Sequence, residues 1–193
     1  MADFILILLS AALVNNIILS AVVGTDPALA FLRQIHVARG LCLTLLLLLP
    51  LSTIIASLAE HQLIVPFQLE HLRLLVSVSI ILLVIWTLKS LSTVLDLAWL
   101  KKTDIYLPFA GINTLVLGSL LLNEHLGNNF LHALSFAIGT VTGFSILLYI
   151  LVAMNERLQA GNVPEPFRGI PVVLLSMAIL SMAFMGLAGL FIR

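Results

Sequence analysis

The residues of this chain most able to do chemistry are amides inside otherwise apolar runs. Asn15 and Asn16 lie within the run 4–23, and Asn113 lies within the run 105–122. An amide in hydrocarbon costs free energy unless it is hydrogen-bonded, so these side chains should face protein or a cavity rather than lipid. Two roles fit them: capping helices that break at these points, or hydrogen-bonding between helices.

Both runs also carry residues that interrupt helices. Gly24 and Pro27 flank Asp26 at the end of the first run, and Pro108 and Gly111 lie in the second. The runs occupy matching places in the two halves of the sequence, and such paired interruptions indicate a site at the bilayer midplane. Asp26 has two interpretations: an Asp-Pro turn, or a buried acid that binds an ion or handles a proton.

Composition sets the fold class as an all-α integral membrane protein. Hydrophobic residues make up 61% of the chain and charged residues 9%, which leaves too little polar surface for a soluble monomer. A helix crosses a bilayer with about 20 apolar residues. Six segments meet this length, with 96–104 predicted as a loop between the third and the fourth: 4–23, 40–59, 72–93, 105–122, 130–154 and 170–192. The first has neither basic residues before it nor a small-residue cleavage site after it, so it is expected to remain as a helix.

Basic residues predict the orientation of these segments. Of nine Lys and Arg, seven lie in or beside the odd-numbered connections, and only Arg73 and Arg193 lie on the other side. The positive-inside rule then places the connections after segments one, three and five in the cytoplasm and both termini outside. The formal net charge is zero and there is no basic run, so a nucleic-acid partner is not expected.

An odd number of crossings in each half predicts an inverted repeat. The chain is interpreted as a single membrane domain, 1–193, with half-repeats of about 1–95 and 96–193. The second copy would then enter the membrane from the opposite face. The first and fourth helices should be broken near Asn15 and Asn113, with their ends approaching each other at the midplane.

The remaining features indicate packing rather than catalysis. Gly139 with Gly143, and Gly186 with Gly189, are predicted to lie on close-packing helix surfaces. Cys42 is the only cysteine, which excludes an internal disulfide or a cysteine-cluster metal site within this chain. There is no phosphate-binding glycine loop, nucleophile elbow or metal-binding His-Glu helix. The chain is therefore not expected to catalyse a reaction alone.

Several motifs together resemble a known family. They are Leu-Val-Asn-Asn at 13–16, the stretch 121–131 with its Gly127, Val-Pro-Glu-Pro-Phe-Arg-Gly at 163–169, Ser-Met-Ala-Phe-Met-Gly at 181–186, and more weakly Pro66 to Arg73. In order and spacing they resemble the six-helix membrane subunits of Rnf ion-translocating electron transport complexes, the RsxA type most closely. The resemblance extends more distantly to a related membrane subunit, the E type, of the sodium-pumping NADH:quinone reductases.

The resemblance implies partners, a location and a cofactor. It implies a multi-pass subunit in the bacterial inner membrane beside an inverted-topology sister subunit, with both termini on the periplasmic side. It also implies an iron–sulfur cluster shared with that sister, to which each contributes two cysteines. Here Asp26 and Thr114 occupy the two cysteine positions. A carboxylate is a hard ligand for iron and a neutral hydroxyl is a poor one, so Asp26 is the only one of the two able to bind metal.

Three functions remain open from the sequence. The first is a membrane component of an Rnf-type translocase that couples electron transfer to sodium or proton movement. The second is a non-redox scaffold paralogue of that component, suggested by the missing cysteines. The third is a small independent transporter that uses the inverted repeat as its binding site.

Overall fold

The computed structural model describes residues 2–14, 16, 35–95, 98–125, 130–161 and 163–191, and within these ranges the regular elements are helices. The N-terminal helix consists of α1 (Ala2–Leu9) and a π-helical segment (Ser10–Val14). Helix α2 (Ile35–Ala59) continues through a π-helical segment (Glu60–Ile64) and a single turn (Val65–Phe67). A 3₁₀ turn (Glu70–Leu72) precedes α3 (Arg73–Leu95). The other elements are α4 (Ala98–Asp104), α5 (Leu107–Ile112), α6 (Thr114–His125), α7 (Phe130–Ala160), a 3₁₀ turn (Glu165–Phe167) and α8 (Ile170–Phe191).

Three of the described helical stretches are long and apolar enough to cross a membrane. They are Ile35–Phe67, Glu70–Val94 and Phe130–Ala160. Shorter apolar helices occupy Phe4–Leu13, Thr114–Asn123 and Ile170–Gly186. The helical, membrane-protein class predicted from composition is confirmed, whereas the count of six crossings stays a prediction.

The core is built on the packing of α2 against α7. Leu41, Leu45 and Leu48 of α2 are fully buried, as is Phe144 of α7. Their spacing of three and four residues places the leucines on one face of α2, which is the face a helix buries against a neighbour. The other described helices pack against this α2–α7 pair or against each other.

The loop predicted at 96–104 is wrong from Ala98 onward, because α4 covers Ala98–Asp104. Ala, Leu and Lys are strong helix formers, and this stretch contains neither Gly nor Pro. A hydrogen bond anchors its end: Ser92 Oγ donates to Asp104 Oδ2 over 2.6 Å. Charged residues in a short segment had suggested a loop, but they are compatible with a helix at a membrane edge.

A charged pair joins the ends of α2 and α3. The guanidinium of Arg73 donates to Glu60 Oε1, and the two side chains are only 19% and 12% exposed. Between them, Gln68 adopts a left-handed conformation with φ of 53°. The turn therefore reverses the chain at the cost of an unfavourable backbone conformation for a residue with a Cβ.

Candidate functional site

The backbone leaves the helical conformation at Asn113, between α5 and α6. Asn113 has φ of −66° and ψ of 121°, and the helix resumes at Thr114. Asn113 Oδ1 accepts a hydrogen bond from the backbone N–H of Leu115 over 2.9 Å. The first backbone N–H groups of a helix have no acceptor within the helix, and Asn113 supplies one to Leu115. Pro108 lies in the first turn of α5, where its missing N–H has no helical acceptor to lose.

The amide group of Asn113 is not fully used by this cap. The side chain is 2% exposed, and its Nδ2 is buried without a hydrogen-bond partner among the described residues. A buried unsatisfied donor costs roughly 1–3 kcal/mol. The break therefore combines an extended backbone with a donor able to bind a carbonyl, a water or an anion.

The N-terminal helix is described as far as Val14, and Asn16 is not in a helix. Asn16 is buried, and its Nδ2 donates to the backbone oxygen of Ala12 over 2.9 Å. Asn16 therefore satisfies a carbonyl in the last described turn of the helix. Asn15 and Asp26 lie outside the described residues.

Two glycines of α7 allow the N-terminal helix to approach closely. A Cβ at Gly139 would lie 2.6 Å from the backbone oxygen of Leu8 and 2.9 Å from Ala11 Cβ. A Cβ at Gly143 would lie 2.5 Å from the backbone oxygen of Ala12 and 2.8 Å from Asn16 Nδ2. Real Cβ atoms do not make contacts this short, so only glycine fits at either position.

The second glycine pair differs from the first. At Gly186 a Cβ would meet no atom within 4 Å, so nothing in the described chain packs against this residue. Any close packing at Gly186 must involve residues outside the described part of the chain or another molecule. The surroundings of Gly189 lie outside the described part of the chain.

The two helix breaks pack on different neighbours. The π-helical end of the N-terminal helix contacts α7 and α8, whereas α5 contacts α2 and α3. Gly111 of α5 lies so close to Ile85 of α3 that a side chain there would overlap it. The approach of the two breaks to each other stays a prediction, because residues 17–34 lie outside the described structure.

The residues at this site do not fit an iron–sulfur cluster. Thr114 offers only a neutral hydroxyl at the exposed start of α6, where the cluster would need a thiolate. The chain has one thiol, that of Cys42 in α2, and it is buried in the hydrophobic core of the bundle. Among the described residues, no group of three or more His, Cys, Asp or Glu could hold a metal ion.

Two polar features were not predicted from the sequence. The Glu60–Arg73 pair joins two separate predicted segments, although opposite charges at the facing ends of adjacent apolar runs are a signal that could have found it. A pocket between the end of α7 and the start of α8 depends on how two helices are joined, and no local pattern indicates it.

The comparisons with known proteins give the family. Residues 4–191 match the family model described as Rnf-Nqr subunit, membrane protein. The chain is 37% identical to a protein of Alkalilimnicola ehrlichii over 194 residues and 32% identical to one of Actinobacillus pleuropneumoniae serotype 5b over 190 residues, each covering 98% of both chains. A Shewanella oneidensis relative is 33% identical over 98% of this chain and 99% of its own. All three are named as the A-type subunit of the ion-translocating oxidoreductase complex. The chain therefore belongs to the Rnf-Nqr family of membrane protein subunits.

Proposed function

We propose that this chain is the RsxA-type membrane subunit of an ion-translocating oxidoreductase complex in the bacterial inner membrane. The observation that carries the proposal is similarity over nearly the whole length of relatives named as that subunit, at 32% to 37% identity. The chain contributes a membrane-embedded part, and partner subunits carry the soluble electron-transfer chemistry. The identity of the transported ion is a property of the whole complex, and an ion-flux assay would determine it.

The proposed topology is six crossings in an inverted repeat, with both termini outside. Supporting it are the six apolar helical stretches, the end of the N-terminal helix at Val14 and the break at Asn113. A sharp test uses single cysteines in a chain whose Cys42 has been replaced by alanine. Glu70→Cys should react with a membrane-impermeant maleimide in intact spheroplasts, whereas Glu165→Cys should react only after lysis. The reverse pattern would overturn the orientation, and equal labelling of both in intact spheroplasts would overturn the odd number of crossings between them.

The proposed sister subunit lies against the break between α5 and α6. Ile112 is 84% exposed on the described chain and Thr114 is exposed beside it. Non-helical backbone at membrane depth is tolerated only where protein or a water-filled cavity covers it. A second inverted subunit would provide this cover, so Ile112→Cys modified with a thiol-reactive photo-cross-linker should form a cross-link to a partner in the native membrane.

The first experiment is purification of the tagged chain from its native membrane in mild detergent, with subunit identification. Co-purification of an inverted six-helix subunit and of soluble electron-transfer subunits is expected. Recovery of the chain alone, with substrate flux after reconstitution, would instead indicate an independent transporter and would refute the proposal.

A second candidate, a non-redox scaffold in the same complex, is favoured by the absence of cluster thiolates. It predicts that Asp26→Ala with Thr114→Ala leaves turnover of the purified complex unchanged and leaves its iron content unchanged. Loss of turnover with intact assembly would assign these positions a role in the reaction.

A further inference from the structure

A polar pocket of about 340 Å³ lies between the end of α7 and the start of α8. Its wall includes Asn155 and Gln159 of α7, and Arg168 and Gly169 from the turn that precedes α8. Asn155 is buried, and Arg168 is exposed at the mouth. A volume of this size is in the range that holds a small ligand or headgroup.

The pocket lies at the level where the membrane meets water. Helix α7 has 31 residues, which at 1.5 Å per residue is about 46 Å, against about 30 Å of hydrocarbon. The apolar part of α7 ends at Met154, and the exposed charges of Glu156 and Arg157 follow. The pocket-lining end of α7 therefore projects into the headgroup layer.

Arg168 is positioned to bind an anion. Its Nε donates to the backbone oxygen of Val163 over 2.9 Å, which fixes the plane of the guanidinium. This bond uses only Nε, so the two terminal Nη groups can donate hydrogen bonds to a ligand. Their planar arrangement matches two oxygens of a phosphate. Among the described residues no acid lines the pocket, since Glu156 and Glu165 both lie outside its wall.

The start of α8 adds donors and an apolar edge. Gly169 has φ of 84° and lines the pocket together with Val172 of the first turn of α8. The N–H groups at the start of a helix have no helical acceptors and favour an anion; Pro171 has none and that of Val173 donates to the Gly169 oxygen, so Val172 supplies the N–H nearest to the pocket. Beside the pocket, Phe167 is 50% exposed and Ile170 is 61% exposed. A ligand with an anionic head and an apolar tail matches both surfaces.

We propose that this pocket binds the phosphodiester headgroup of an anionic phospholipid. The single guanidinium matches the single negative charge of a phosphodiester, Gln159 adds an amide to the wall, and the neighbouring Phe167 and Ile170 expose an apolar surface for an acyl chain. The assignment is independent of the ion that the complex moves and of its redox chemistry.

Native mass spectrometry of the purified full chain in detergent tests the assignment, with dioleoyl phosphatidylglycerol, dioleoylglycerol and inorganic phosphate as probes. Phosphatidylglycerol should bind, dioleoylglycerol should not, and inorganic phosphate should bind far more weakly because it lacks the tail. Arg168→Gln should weaken phosphatidylglycerol binding about fivefold or more, the effect of removing one cation near a membrane surface. Arg157→Gln is the matched control, because Arg157 is an exposed cation at the same level that does not line the pocket.

A second variant keeps the test decisive if Arg168→Gln does not fold. Gln159→Glu adds a carboxylate to the wall without removing the Arg168–Val163 bond, and it should also weaken phosphatidylglycerol binding. Equal losses in Arg168→Gln and Arg157→Gln, or no loss in Gln159→Glu, would overturn the site. If inorganic phosphate binds as tightly as phosphatidylglycerol, the assignment to a lipid is wrong and the ligand is a soluble phosphate. If dioleoylglycerol binds as tightly as phosphatidylglycerol, the assignment to a headgroup is wrong and the site is only an apolar surface.

Discussion

Replacing Gly143 with alanine should loosen the contact between the N-terminal helix and α7. The new Cβ would lie 2.5 Å from the backbone oxygen of Ala12, where ordinary contact begins at 3.4 Å. The difference of these two distances, 0.9 Å, is the separation that the helices must gain. The blocking atoms include backbone, so no side-chain rotation relieves the overlap.

The expected loss of stability is roughly 1–3 kcal/mol, as for other overpacked cores. A gap of 0.5–1 Å already removes about a quarter to a half of the dispersion energy of the atoms that face it. Alanine also favours a helix over glycine by about 1 kcal/mol. Gly186→Ala gains the same preference without an overlap, so the difference between the two variants isolates the steric cost.

The assay is reversible unfolding of the full chain in mixed micelles by titration with sodium dodecyl sulfate, followed by circular dichroism. Gly143→Ala should unfold at a lower detergent fraction than Gly186→Ala, and amide exchange should rise first in the N-terminal helix. The second substitution Ala12→Gly should not rescue Gly143→Ala, because it leaves the blocking oxygen in place. Equal stabilities of the two alanine variants, or rescue by Ala12→Gly, would refute the packing argument.

Three further predictions use the same unfolding assay. A double-mutant cycle of Glu60→Gln and Arg73→Met should give a coupling energy of about 1–3 kcal/mol, above the value of an exposed pair because both side chains are mostly buried; a coupling near zero would contradict this. Asn113→Ser and Asn113→Ala both remove the unsatisfied Nδ2 donor, but only serine can still cap the Leu115 amide, so the serine variant should be more stable by about 1 kcal/mol, and the two would be equal if the cap contributed nothing. Gln68→Gly should raise stability by up to about 1 kcal/mol by relieving the left-handed conformation, and Gln68→Ala, which keeps a Cβ, should give no gain.

The features that could be predicted from the sequence are those set by local composition. Long apolar runs predict helices in a membrane because no other structure satisfies the backbone there. The departure from helix at Asn113 follows from an amide and a glycine in such a run. The close approach at Gly139 and Gly143 follows from small residues four apart on one helix face.

Features that depend on the relation between segments could not be predicted. The Glu60–Arg73 pair requires the geometry of the turn between α2 and α3. Helix α4 contains helix-forming residues, but two lysines beside an apolar run also fit a loop at the membrane edge, and the packing of α4 on α2 and α3 decides between the two. Likewise, Gly186 belongs to a motif with the spacing of a packing surface, yet its neighbour is not in the described chain.

The buried polar groups of this bundle differ in whether their own helix supplies a hydrogen-bond partner. Thr53 and Ser119 donate to backbone oxygens of their own helix at 2.8 Å and 3.0 Å, so their burial is satisfied locally. The hydroxyls of Ser52 and Thr140 are buried without a partner among the described residues. The amide of Asn113 has two donors, and the break that it caps is non-helical, so its Nδ2 finds no acceptor among the described residues. Because backbone outside a helix is not tolerated against lipid, the same break also needs protein or water over it. The unsatisfied donor and the exposed Ile112 therefore indicate one requirement: this helix break needs a hydrogen-bond acceptor from outside the described residues, which lipid chains cannot supply.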